Sequence, residues 1–496
     1  MAYMKKSEYR KKVLGCWLGK AVGGTLGQPY EGSDGPLELS YYNPVPEGMI
    51  PNDDLDLQVL WACKLDGMTE PSIDRDVFSD AWLNHVEFPW DEYGIAIRNL
   101  RNGIKAPHSG SYGNWFKDGL GAAIRSEIWA CLAPGNPKLA ADFAYEDACV
   151  DHVGDGIHAE QFLAALESAA FLESDMDRLL DAGLSVIPGE CRIRDAIRDA
   201  RIWSMEGVDW LEIRRKILEK WGSESFTDVV MSISFLVMSL ILGKGDFSRT
   251  VCLAVNCGRD ADCTAASAGA ILGIINPDGI GERWLKPIGR DIILNKGIVG
   301  IIPPATLDEF TDMVSGLKDR VSFNGRRESS PFSPAKMRVE CGIYHPWFAQ
   351  DENRFAPKMP EQVETREFHA NIGSIPSDEI PSDSLYLMRF KFRIEDKKKV
   401  RVMFNANANS RIWIDGNFAF GREGGRMAPS FHRCPINQYK DMELEPGEHE
   451  LVAGIAPING QKEITWVWGI GDCLNFQWLK SNSFLTKAGF ASNPKE

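Results

Sequence analysis

The stretch GRDADCTAASAGAILG, residues 258–273, joins an acidic start to a run of small residues. A second small-residue stretch, GCWLGKAVGGTLG, spans residues 15–27. Glycine inside a helix costs about 1 kcal/mol relative to alanine, so such runs persist only where close helix packing or close ligand approach compensates. We therefore expect both stretches to form central helices that line a site.

A second acidic cluster, Asn52-Asp53-Asp54-Leu55-Asp56, also stands where a helix should begin. Two helix starts of this kind can project carboxylates into one cleft, where hard divalent cations prefer oxygen ligands. The alternative is that these acids only cap helices, because the helix dipole favours carboxylates there by about 0.3–1 kcal/mol each. Neither cluster alone decides between the two interpretations.

The composition restricts the class of protein. The chain has 496 residues, 44 % hydrophobic and 25 % charged, and a net charge of −15, which disfavours nucleic acid or an anionic membrane as the main partner. The basic N-terminus lacks the apolar run of a secretory signal. The 11 cysteines contain no CxxC pair, which favours reduced thiols in a cytoplasm and disfavours a zinc site.

The pattern along the chain predicts two domains. Residues 1–317 carry helical periodicity throughout and predict an all-α domain; the apolar stretch Val229 to Gly243 is too short for a bilayer span and reads as a core helix. Residues 318–360 have linker composition. Residues 361–496 alternate with period two and predict an all-β sandwich of the jelly-roll type, with Asp415-Gly416 as a turn.

Five blocks, in order, resemble the ADP-ribosylglycohydrolase family, which includes dinitrogenase reductase-activating glycohydrolases and ADP-ribosyl-acceptor hydrolases. Residues 15–31 resemble the family's opening glycine-rich helix and the acidic residue that closes it. Asn52-Asp53-Asp54 is similar to the family's Thr-Asp-Asp motif. Residues 121–125 resemble the family's Gly-Ala-Ala-Met-Arg block, and Asp151-His152 resembles its Thr-His block. Residues 258–263 resemble its Gly-Asp-x-Asp-Thr block.

The resemblance implies a binuclear Mg²⁺ centre in an all-α fold. The implied metal positions are Asn52, Asp53, Asp54, Asp260, Asp262 and Cys263. Asn52 and Cys263 stand where the family has threonines, and a thiol is a poor Mg²⁺ ligand. The sequence is therefore compatible with either one or two bound ions, and the ion could be Ca²⁺ or Mn²⁺ instead of Mg²⁺. Asp56 shares a helix face with Asp53 and supplies an additional carboxylate for the ion or the substrate.

The resemblance also implies catalytic and substrate-binding residues. Glu31 corresponds to the acid that gates the metals, and it would act with Asp53 and Asp54 in catalysis; the alternative is an exposed loop glutamate. Predicted substrate contacts come from Gly121, Arg125 and His152. Independently of the resemblance, the stretch that contains Gly110, Ser111 and Gly113 could let backbone N–H groups approach a substrate phosphate. For the glycines the alternative is plain turns, and for His152 it is a structural hydrogen bond.

We expect a metal-dependent hydrolase that cleaves a glycosidic bond at the anomeric carbon of ADP-ribose or a related sugar conjugate. The alternative hypothesis is a sugar- or nucleotide-binding protein with a degraded catalytic centre, for which Asn52 and Cys263 argue. A self-associating structural protein is the third hypothesis. Trp466, Trp468 and Trp478 either stack on sugars or pack in the β-domain core. The expected partner is a small molecule or sugar conjugate, and the sequence does not predict the oligomeric state.

Overall fold

The computed structural model describes residues 4–325, 332, 336–344 and 359–479. The chain divides into two compact units. The first consists of Met1–Glu87, Lys105–Pro107 and Lys117–Ser329, and the second of Phe88–Ile104, His108–Phe116 and Ser330–Glu496. The predicted organisation, a helical region followed by an all-β region, is confirmed, whereas the predicted boundaries at residues 317 and 360 stay predictions.

Helices make up nearly all regular structure before residue 320. In chain order they are α1 Lys6–Gly27, α2 Asp53–Asp66, α3 Arg75–His85, α4 Asp91–Arg101, α5 His108–Ser111, α6 Glu127–Leu132, α7 Pro137–Ala148, α8 Asp155–Ala170, α9 Met176–Leu184, α10 Arg192–Met205, α11 Trp210–Trp221, α12 Val229–Gly243, α13 Phe247–Asn256, α14 Ala261–Ile275, α15 Glu282–Ile288 and α16 Leu307–Leu317. All residues of α12 up to Leu240 are buried, as predicted for a core helix. Within the described residues, no helix has both the length and the apolar character needed to cross a bilayer.

Helices α1 and α14 contact each other backbone to backbone. Glycines recur in α1 at every fourth position, which puts them on one face of the helix. A Cβ on Gly19 would lie 2.0 Å from the carbonyl oxygen of Gly269, and a Cβ on Gly269 would lie 2.1 Å from that of Gly19. The same close approach is repeated along the pair, antiparallel, between Gly15 and Gly273, Gly23 and Ala265, and Gly27 and Asp262. The small residues are therefore required by helix packing.

The second unit is built on a ten-stranded antiparallel sheet among its described residues. Its strands, in chain order, are β1 Lys336–Tyr344, β2 Glu364–His369, β3 Ile372–Pro376, β4 Leu385–Ile394, β5 Lys398–Ala406, β6 Asn409–Ile414, β7 Asn417–Arg422, β8 Tyr439–Leu444, β9 Gly447–Ala456 and β10 Glu463–Asp472. The order across the sheet is β7-β6-β9-β4-β1-β2-β3-β10-β5-β8. Strand β1 lies inside the stretch 318–360 whose composition indicates a linker; residues 326–331, 333–335 and 345–358 of that stretch lie outside the described residues.

Side chains from most of these strands meet in one apolar core, so the sheet curves around it in a sandwich-like manner. Trp466 and Trp468 are fully buried and Trp478 is 6 % exposed, which confirms core packing and leaves these rings no surface for stacking on sugars. The hairpin between β6 and β7 turns at Asp415 and Gly416, both with positive φ, as the Asp-Gly pair predicts.

Helix α4 belongs to this second unit although it precedes most of the helical region. Ile95 and Phe116 enter the core of the curved sheet. Arg98 is buried and its Nη1 donates to Asn371 Oδ1 at 3.0 Å, while Asp91 forms an ion pair with Arg433. The second unit therefore draws on two distant parts of the chain.

The α1–α14 contact predicts a sharp dependence of stability on glycine. Gly269→Ala should destabilise the protein by about 1–3 kcal/mol, because the added Cβ would overlap a backbone oxygen that cannot move away alone. Gly316→Ala in α16 is the matched control: its Cβ meets nothing within 4 Å, so the change should be neutral or stabilising by up to about 1 kcal/mol. Thermal unfolding followed by circular dichroism compares the two, and equal midpoints would contradict the packing described.

Candidate metal and active site

The first acidic cluster forms the start of α2. Asn52 is the N-cap, and its Oδ1 accepts a hydrogen bond from the Asp54 backbone N–H at 2.9 Å. The carboxylates of Asp53 and Asp54 follow in the first turn, where the helix dipole favours them. The side-chain cap of α2 therefore comes from Asn52 and not from either carboxylate.

The second acidic cluster forms the start of α14. Asp260 stands at the N-cap position, yet its side chain makes no capping hydrogen bond, and Asp262 follows in the first turn. The Thr264 hydroxyl donates to the Asp260 backbone carbonyl at 2.6 Å, so it leaves the Asp260 carboxylate without this partner. Capping therefore does not account for the Asp260 carboxylate.

The two helix starts, about two hundred residues apart in sequence, lie together. Asn52 Nδ2 donates to Asp262 Oδ2 at 3.2 Å. One ligand atom from each of Asp54, Asp262 and Cys263 lies within 4.8 Å of the other two. A single cation can contact groups at this separation.

The two helix starts together form one acidic cluster of Asp53, Asp54, Asp260 and Asp262, and its electrostatics favour a bound cation. Burial, together with the neighbouring carboxylates, raises the pKa of Asp53 and Asp262 well above the usual range, and burial and Glu31 raise that of Asp260 to about 8. Burial also raises the pKa of Asp54, although Lys20 opposes the effect. Like charges held this close in a dry site repel unless protons or a cation compensate them.

Unsatisfied oxygens give an independent test of whether the site fits a metal ion. Asp54 Oδ2, Asp260 Oδ1 and Asp262 Oδ1 are buried and accept no hydrogen bond from the described residues. Buried carboxylate oxygens normally have partners, so three orphans in one cluster are unusual. Their hard oxygen character matches a divalent cation such as Mg²⁺, Ca²⁺ or Mn²⁺.

Glu31 stands at the rim of the cluster. It is exposed, and its charge contributes to the raised pKa values of Asp53, Asp260 and Asp262. The segment that follows it is tied to the start of α14, because Gly32 N donates to Arg259 O at 2.8 Å and Arg259 N donates to Ser33 O at 2.6 Å. This pair of hydrogen bonds keeps Glu31 near the carboxylates.

A buried ion-pair network contacts the acidic cluster at Asp54, and the sequence analysis missed it. The ammonium of Lys20 lies 2.8 Å from Glu127 Oε1 and 3.3 Å from Asp54 Oδ1, with all three residues buried. Gln58 Nε2 donates to the other oxygen of Glu127 at 2.9 Å. The signal in the sequence was Lys20 itself, a charge inside a helix of small and apolar residues.

Asp56, predicted to contact the ion or the substrate, is hydrogen-bonded to Asn295. Its Oδ2 accepts hydrogen bonds from both the backbone N–H and the side-chain Nδ2 of Asn295, each at 2.9 Å. Burial raises its pKa to about 7. A contact with the ion or substrate through its other oxygen stays a prediction.

Arg125 and His152, both predicted substrate contacts, are fully buried. The Arg125 guanidinium donates to Asp151 through two nitrogens, to Asp147 at 2.8 Å and to the Gly121 carbonyl at 2.7 Å. His152 Nδ1 lies 3.0 Å from Asp151 Oδ1. These contacts give the two side chains a structural role, and substrate binding by Gly121, Arg125 and His152 stays a prediction.

Gly110, Ser111 and Gly113 belong to the second unit. Ser111 Oγ donates to the His108 carbonyl at 3.0 Å, and Gly110 O accepts from Asn114 Nδ2 at 2.9 Å. Gly113 has φ +59°, and a Cβ there would lie 2.6 Å from Asn371 Oδ1. Local packing explains this glycine, and phosphate binding by the three residues stays a prediction.

Comparison with solved structures gives remote likenesses. A structure described as an ADP-ribosylglycohydrolase-related protein complex is 20 % identical with a TM-score of 0.45, covering 63 % of this chain and 99 % of that chain. A GH31 α-xylosidase from Xanthomonas citri is 11 % identical with a TM-score of 0.16, covering 27 % of this chain and 14 % of that chain. Neither likeness is close enough to bear on function.

Sequence comparison is more informative. An uncharacterized protein of Archaeoglobus fulgidus is 26 % identical over 299 residues, which are 56 % of this chain and 91 % of that protein. The family model for ADP-ribosylglycohydrolase matches residues 5–314, well over half of the chain and the whole of the acidic cluster. The chain therefore belongs to the ADP-ribosylglycohydrolase family, as the sequence motifs indicated.

Proposed function

We propose that the helical unit is a metal-dependent hydrolase that cleaves a glycosidic bond at the anomeric carbon of ADP-ribose or a related sugar conjugate. The observation that carries this proposal is the meeting of two acidic helix starts, with ligand atoms of Asp54, Asp262 and Cys263 within 4.8 Å of one another. Membership of a family of hydrolases supports the reaction class. The substrate class rests on the family alone.

The residues that would hold Mg²⁺ are Asp54, Asp260 and Asp262, with Asp53 beside them. A divalent ion at this position supplies a Lewis acid for water and sugar hydroxyl oxygens. Asn52 can offer only the remaining lone pair of its Oδ1, because the other accepts the Asp54 N–H. Cys263 is the weakest of the predicted ligands, since its sulfur is soft and Mg²⁺ is hard.

Glu31 would perform the proton transfer. Glycosidic cleavage passes through an oxocarbenium-like transition state and needs a carboxyl group to activate water or protonate the leaving group. Glu31 is exposed, so an incoming substrate can reach it, and it lies close enough to the acidic cluster to interact electrostatically with Asp260. The buried aspartates would instead fix the ion and the oxygens around it.

Glu31→Gln should lower turnover by about 100-fold or more and leave metal binding intact, because the amide can neither donate nor accept the proton. Turnover is measured as ADP-ribose release from ADP-ribosylated protein, or as aglycone release from aryl glycosides, in Mg²⁺ and after chelation. Glu38→Gln is the matched control, an exposed glutamate in the same connection between α1 and α2. Comparable losses in the two variants would contradict the role of Glu31.

Asp262→Asn should raise the thermal midpoint of the metal-free protein and abolish its response to Mg²⁺. The amide cannot ionise, so it removes the cost of charging this buried group beside other carboxylates, and its oxygen can still accept from Asn52. At about 100 times its dissociation constant, Mg²⁺ stabilises the wild type by about 2.7 kcal/mol, and this gain should disappear. A variant that keeps the Mg²⁺ shift would show that the ion binds elsewhere.

The effect of Mg²⁺ should grow with pH. The pKa of Asp260 is raised from 3.8 to about 8, so the folded, metal-free protein retains a proton that the unfolded chain has released. Its stability therefore falls as pH rises between these two values. Mg²⁺ must displace that proton, so the Mg²⁺-induced shift in midpoint should be larger at about pH 8 than at about pH 6. A shift independent of pH would contradict binding at this cluster.

A further inference from the structure

A second cluster of metal-ligating side chains lies in the helical unit, outside the acidic cluster. Asp155 and His158 stand three residues apart in the first turn of α8, on one face of the helix. Cys191 is the residue immediately before α10 and does not cap that helix through its side chain. One ligand atom of each residue lies within 4.8 Å of the other two.

The hydrogen bonds around this cluster leave its ligand atoms largely unused. His158 Nδ1 is buried and makes no hydrogen bond with the described residues. Cys191 Sγ has two weak contacts, one with the Pro188 carbonyl at 3.6 Å and one with the backbone of Arg194. Asp155 Oδ1 accepts the Ile193 N–H at 3.2 Å, and its Oδ2 is 3.7 Å from the guanidinium of Arg192. Arg192 is half-exposed, so it can turn toward solvent when a cation arrives.

The donor set selects the kind of ion. An imidazole nitrogen, a thiolate and a carboxylate together match Zn²⁺, whereas Mg²⁺ and Ca²⁺ prefer oxygen alone. On coordination the thiol releases its proton to solvent, and the negative thiolate that remains offsets part of the charge of the ion. The cysteine spacing in the sequence disfavoured a zinc site, because Asp155 and His158 are neighbours on α8 but only the fold brings Cys191 to them.

We propose that Asp155, His158 and Cys191 form a Zn²⁺ site that joins the start of α8 to the start of α10. Three protein ligands leave a fourth position for water. The site is separate from the acidic cluster, and its existence does not depend on the hydrolytic function.

Cobalt substitution tests this site directly. The untagged full-length protein is stripped of metal, saturated with Mg²⁺ and titrated with Co²⁺, whose bond to a thiolate gives a charge-transfer absorption band. We expect one equivalent of Co²⁺ to produce this band and Zn²⁺ to abolish it. His158→Gln should weaken Co²⁺ binding by at least about tenfold, and Cys191→Ser should eliminate the band.

Two cysteine variants serve as controls. Cys63→Ser changes another partly buried thiol of the helical unit, and Cys263→Ser changes the thiol of the acidic cluster. Both should keep the band. No band in the wild type, a band that survives Cys191→Ser, or a band lost in Cys263→Ser would each overturn the proposal. Mg²⁺-dependent hydrolysis, measured in parallel, distinguishes failure here from failure of the proposed function.

Discussion

The contact between the backbones of α1 and α14 is the constraint on which the rest of the helical unit depends. Side chains larger than hydrogen at Gly19 or Gly269 would collide with the facing carbonyl group. Because the helices are antiparallel, the end of α1 at Gly27 lies against Asp262 at the start of α14. The contact thereby fixes the distance between Glu31, which follows α1, and the carboxylates that open α14.

The carboxylates of the acidic cluster repel one another, and the cationic side chain beside them offsets this repulsion only in part. Lys20 neutralises some of the charge on Asp54, but it is shared with Glu127 and does not reach every carboxylate. Buried orphan oxygens and raised pKa values in the same small space support our proposal that a cation stabilises this site. On this proposal, one bound ion serves both the activity and the stability of the helical unit.

Local signals predicted more than long-range ones. The starts of α2 and α14, the buried helix α12 and the Asp415-Gly416 turn all follow from residues adjacent in sequence. The partner of Asp56 is 239 residues away, and nothing near Asp56 points to it. Likewise, no local pattern shows that α4 packs with the sheet, since its apolar face would suit a helical neighbour equally well.

The central claim is that the starts of α2 and α14 hold a divalent cation between them. Crystals of the full-length protein grown with Mn²⁺, measured at the manganese absorption edge, would locate the ion by anomalous scattering. Our account predicts a peak within coordination distance of carboxylate oxygens from both Asp54 and Asp262. A peak that contacts only one of the two helices, or no peak at this cluster, would contradict it.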